Sequence, residues 1–130
     1  MTEDNRRRNA RTELERAEAC LAESKALHAS GMPYGATSCA HYATFHAARA
    51  LLFTVGIEAR SHRGVAGPVG EHFVKPGGIS PEMGRLLARM QRDREDADCE
   101  SGAVFTGAES AATIADAERF LAEARRIVGG

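Results

Sequence analysis

Residues 34–55 read YGATSCAHYATFHAARALLFTV, a stretch with six alanines, no proline and one charged side chain, Arg49. Alanine is the strongest helix former, and Gly56 supplies the residue that most often closes a helix, so the stretch is expected as one helix from about Tyr34 to Val55. Wound at 3.6 residues per turn, it shows three ridges. Ala36, Ala40, Ala43, Ala47 and Thr54 form a small-residue ridge; His41, Phe45, Ala48 and Leu52 form a second; Cys39, Tyr42, His46, Arg49 and Phe53 form a third. Only Thr44 and its immediate surroundings look solvated. A helix that is apolar on nearly every side needs cover on nearly every side, which places it centrally and asks a partner subunit for part of the cover.

Working outward, a preceding helix is expected from about Asn9 to Ala29, with Leu14, Ala17, Leu21, Ser24 and His28 on one stripe, stopped by Gly31 and Pro33. Residues 1–8 are expected as a disordered tail. Downstream, Ser61 heads a short or broken helix over His62–Val74, weakened by Gly64, Gly67, Pro68 and Gly70. Ser80-Pro81-Glu82 is a helix start with a cap, a first-position proline and an early acid; Met83, Leu86, Leu87 and Met90 then point inward until about Cys99. Thr106 and Glu109 have the spacing of a capping box, opening a last helix with Ile114, Ala117, Leu121 and Val128 on one side. The expectation is an all-α fold, an up-and-down four-helix bundle with one additional short or broken helix, in a single domain over residues 1–130.

Composition narrows the function. The chain has 130 residues, 43% of them hydrophobic, and its 17 basic side chains are offset by 18 acidic ones, which argues against a strongly basic nucleic-acid binder. Window by window no phosphate track emerges, since residues 1–30 hold six basic and six acidic groups. Three widely spaced cysteines support neither a disulfide framework nor a zinc site and fit a reducing cytoplasm. No apolar run approaches the ~20 residues of a membrane span. Glycine-rich phosphate loops, nucleophile elbows and metal-binding His pairs are all missing, so neither cofactor nor metal is expected.

Three places carry candidate chemistry. Tyr42, His46 and Arg49 share the third ridge, and phenol, imidazole and guanidinium together suit a phosphate or a nucleobase. The competing reading makes Tyr42 and His46 core or interface residues with Arg49 as their hydrogen-bond partner. Arg94 lies on the stripe of Leu87 and Met90, where an inward cation needs an acid such as Asp98, four residues on. His62 and Arg63 beside Ser61 offer a weaker anion site. Neither Cys39 nor Cys99 is recommended as a nucleophile by its neighbours.

The stretch Tyr34–Leu52, then Ser61-His62-Arg63-Gly64-Val65, His72-Phe73-Val74 and Arg94-Glu95-Asp96-Ala97-Asp98, resembles the HEPN domain family, closest to its small stand-alone prokaryotic branch. The resemblance implies a helical bundle that commonly forms a homodimer and is often encoded beside a minimal nucleotidyltransferase in a toxin–antitoxin pair; Tyr42, His46, Arg49, His62 and Arg94 are the residues expected to carry any contact to a nucleotide or RNA. Many members are metal-independent ribonucleases that use Arg followed by His after four to six residues. No histidine of this chain has an arginine at that spacing, which points to a non-catalytic binding module. The alternatives are a ribonuclease toxin with a non-standard site drawn from His46, His62, Arg49 and Arg94, and a structural dimer without ligand. The chain also has Cys39, His41 and Cys99 where that branch usually has Arg, Tyr and Tyr.

Overall fold

The computed structural model describes residues 2–61, 64–99 and 105–129, apart from the side chains of residues 94–99. Helix α1 spans Glu3–Ala29 and starts six residues earlier than the sequence reading placed it. The cause is a cap: the Thr2 hydroxyl accepts from the Asn5 amide at 3.2 Å, and Glu3 and Asp4 sit where the helix dipole favours acids. Residues 3–8, expected as a tail, are therefore helical.

Gly31, at φ 76°, turns the chain after α1, and Pro33 opens α2 (Pro33–Thr54). The two helices lie antiparallel and close. Ala17, Ala36, Ala40, Ala43 and Ala47 are fully buried, and the buried Ser24 hydroxyl donates across the seam to the Ala36 carbonyl. Helix α5 (Gly107–Val128) packs against both, tied to α1 by His28–Ser110 at 2.7 Å and by Arg125–Glu18 at 2.8 Å.

On the other side of α2 lie α3 (Ala66–Val69), continuing into a π-helical turn over Gly70–Val74, and α4 (Pro81–Cys99). Pro68 falls in the first turn of α3, where its missing amide hydrogen costs no intrahelical bond. Ser80 caps α4 through the Met83 amide at 3.3 Å and is itself held by the Glu123 carboxylate of α5. Gly84 lets α4 settle on the π turn, since a Cβ there would stand 2.8 Å from a methyl of Val74.

Met83, Leu86, Leu87 and Met90 are buried as the stripe required, as are Ile114, Ala117 and Leu121; Val128, at the fraying end of α5, is half-buried. Two side chains depart from expectation. Thr44 is only 1% exposed, because Val65, Leu87 and Met90 cover it and its hydroxyl donates to the Ala40 carbonyl at 3.1 Å. The solvated side of α2 is instead the ridge of Tyr42, His46 and Arg49. Leu14 is half-buried, and Glu13 holds the inner position beside it. Among the described residues there is no strand and no helix long and apolar enough to cross a membrane.

The capping box on α5 is complete: the Thr106 hydroxyl accepts from the Glu109 amide, and the Glu109 carboxylate accepts from the Thr106 amide, both at 3.1 Å. Thr106→Ala is expected to cost about 1 kcal/mol, read as a drop of a few degrees in a circular-dichroism melt.

Candidate functional site

Helix α1 buries Ala10, Glu13, Ala17, Leu21 and Ser24 on one face, and four of these five are the small or apolar residues that a close seam demands. Glu13 is the exception. At 3% exposure its carboxylate needs partners, and two guanidiniums and an imidazole supply them. Arg16 Nη1 stands 2.6 Å from Oε1, His46 Nδ1 stands 2.7 Å from Oε2, and Arg49 Nη1 lies 3.6 Å from Oε2.

Each contact fixes something. With a carboxylate as its acceptor, His46 carries its proton on Nδ1, so Nε2 remains for another partner. The Arg49 guanidinium lies 5.7 Å from the ring centroids of both Phe45 and Phe53, a cation–π arrangement that holds it in place. Its Nε is buried and has no hydrogen-bond partner among the described residues. One carboxylate faces two guanidiniums, so the cluster keeps a positive charge even with His46 neutral. The His46 and Arg49 side chains are each 19% exposed, and Tyr42, one turn before His46, is 36% exposed. A partly exposed phenol thus stands beside an oriented imidazole and a clamped guanidinium, which suits a phosphate with a base or sugar attached.

The structure brings Tyr42, His46 and Arg49 to one partly exposed ridge, as their spacing required. The partner of His46 and Arg49 is Glu13 from α1, which the sequence reading missed. A signal was present, because Glu13 sits among Ala10, Ala17, Leu21 and Ser24 at helical spacing as the one acid of that stripe. His62 and Arg63 lie outside the described residues, as do the side chains of Arg94 and Asp98.

Other candidates recede. Ser110 is fully buried and its hydroxyl donates to the Gly107 carbonyl, so the His28–Ser110 contact joins two helices and offers no accessible nucleophile. Burial first, then the nearby Glu23, pushes the Cys20 and Cys39 thiols up, which disfavours a thiolate at neutral pH. No group of three or more His, Cys, Asp or Glu among the described residues could hold a metal.

Over 108 residues the chain is 33% identical to a Methanocaldococcus jannaschii protein named "Putative toxin MJ0605", covering 83% of this chain and 80% of that protein. A UPF0332 protein of Thermotoga maritima is 32% identical over 83 residues, 64% of this chain and 63% of its own. Another from Gloeobacter violaceus is 28% identical over 115 residues, 88% of this chain and 86% of its own. Residues 10–129 match the HEPN domain as a whole, and the chain belongs to that family.

Proposed function

We propose that this HEPN domain is a binding module that takes a phosphate-bearing ligand, a nucleotide or RNA, on the ridge of Tyr42, His46 and Arg49. It acts as a homodimer beside a nucleotidyltransferase partner in a toxin–antitoxin pair in the cytoplasm. The observation that carries the reading is the excess of cations around the buried Glu13. Glu13 orients His46, the two phenylalanine rings hold Arg49, and Arg16 supplies a second guanidinium that is largely in solvent. His62 and Arg94 remain candidate contacts from the sequence alone. The pair context is supported by the relative named as a toxin.

Titration with a fluorescent nucleotide tests the ligand. Arg49→Ala and His46→Ala are each expected to weaken binding about 10- to 100-fold, the worth of a charge-assisted hydrogen bond, with sedimentation showing a dimer throughout. Unchanged affinity in both variants would remove the ridge from the site.

One observation favours a second reading. A histidine held by a buried carboxylate at 2.7 Å, beside a fixed arginine, is also equipped for acid–base work on a phosphodiester, with Arg49 stabilising the developing charge. Cleavage of an RNA pool by the wild type that is lost in His46→Ala would install that ribonuclease reading in place of the first.

A further inference from the structure

Two crossings fix how α1 and α2 lie against each other. Near the turn, the buried Ser24 hydroxyl donates to the Ala36 carbonyl; farther along, His46 Nδ1 meets Glu13 Oε2 at 2.7 Å. Cys20 lies four residues before Ser24 and seven after Glu13, and Cys39 lies three after Ala36 and seven before His46. In antiparallel helices one turn back along α1 is matched by one turn forward along α2, so Cys20 and Cys39 face each other one turn in from the Ser24–Ala36 crossing. Counting one heptad from Glu13–His46 reaches the same pair, on the same flank of the seam.

The seam is narrow at this end. Ala17, Ala36, Ala40 and Ala43, which flank the pair along the two helices, are fully buried, and a Cβ on Gly35 would stand 3.2 Å from Leu27 Cδ1. A disulfide requires Cα atoms within about 7 Å, an approach that such small residues permit. Both cysteines are free and half-buried, so they border the seam within reach of solvent. Burial first, then Glu23 and then Cys39 itself raise the Cys20 thiol, which puts the two sulfurs within electrostatic range of each other. Separated by 19 positions in sequence, the pair exists only once α1 lies beside α2.

We infer that Cys20 and Cys39 form a dithiol site that a small disulfide oxidises to a Cys20–Cys39 bond, covalently fixing the register of α1 against α2. One thiolate attacks a sulfur of the small disulfide RSSR and releases RS⁻; the other attacks the cysteine sulfur of the resulting mixed disulfide and releases the second RS⁻. The two thiol protons end on the released thiolates, so two cysteine sulfurs are oxidised, RSSR is reduced and two RSH leave. The bond closes the segment from Cys20 to Cys39, which contains the turn at Ser30–Met32, and thereby restricts the unfolded chain. Oxidation thus staples the hairpin one heptad away from the carboxylate that orients His46.

Oxidised glutathione is the probe, applied to the folded protein at about pH 8.5, where thiolates form, and followed by an acid quench and alkylation of the free thiols. Titratable thiols are expected to fall from three per chain to one, with the chain still running as a monomer on a non-reducing denaturing gel. Trypsin should then yield peptide 17–25 joined to peptide 26–49, and a reductant should separate them. The oxidised protein should melt about 5–10 °C above the reduced one. Cys39→Ser should abolish both the link and the shift, and Cys99→Ser should keep both. Three thiols remaining, a mixed disulfide that goes no further, or a link to peptide 95–119 or to a second chain would each overturn the pairing. So would a linked protein that melts no higher than the reduced one, since the bond would then have formed at the expense of the native seam.

Discussion

Glu13→Ala is expected to destabilise the protein by about 3 kcal/mol and to lower its melting temperature by about 10 °C. The substitution removes the acceptor of the His46 Nδ1 proton and the counter-charge of Arg49, whose side chains are each only 19% exposed. Loss of one partner from a buried ion pair costs about 3–5 kcal/mol because the remaining charge stays desolvated. The lower end applies here, since the Arg16 side chain is 59% exposed and can turn back to water. Glu13→Gln, which keeps the shape and an acceptor, should lose less than half as much. A double-mutant cycle with His46→Ala should give a coupling of about 1–2 kcal/mol, because the second change removes the group that the first one orphaned. Thermal and urea melts read all three; a Glu13→Ala protein melting within two degrees of wild type would mean that the seam is wet.

Phe120→Ala should cost as much or more, about 3–5 kcal/mol. Phe120 is fully buried on α5 and belongs to the same core cluster as Leu51, Leu52, Ile79, Leu86 and Leu121. Removing the ring takes away its transfer free energy and leaves a cavity among residues on α2, α4 and α5 that cannot all close on it. The signature is a lower urea midpoint with an unchanged slope, since the native surface does not alter. Phe120→Leu, which refills most of the volume, should recover the greater part. Against the roughly 5–15 kcal/mol that holds a domain together, either lesion is a large fraction.

Helix type and order were legible because the signals for them are local. Thr106 with Glu109, Ser80 with Pro81, and Gly31 with Pro33 place helix ends within a residue or two by hydrogen bonds and dihedrals that depend on near neighbours alone. The start of α1 was placed six residues late although its signal, the Thr2 cap, is equally local. Which face of α2 meets water was not local information. Thr44 looked exposed beside its neighbours along the chain, and α3 and α4, some twenty to forty-five positions away, decide otherwise. The site divides in the same way: Tyr42, His46 and Arg49 were visible because one helix carries them all, whereas Glu13 became part of it only when α1 lay alongside. Charge counts over thirty residues average over faces that the helix separates, so the four arginines of residues 5–12 do not stand out in them.

The three-residue connection Ser30–Met32 has a consequence for the order of assembly. Closing so short a loop costs little chain entropy, so the α1/α2 hairpin can form early, and the Glu13 cluster, which lies wholly within it, forms with it. Helix α5 reaches α1 only across separations of 82 residues at His28–Ser110 and 107 at Glu18–Arg125, and docks afterwards. Glu13→Ala is therefore expected to slow folding and Phe120→Ala chiefly to speed unfolding, which stopped-flow folding and unfolding rates read. On this order Glu13, His46 and Arg49 come into register before the bundle closes over its core.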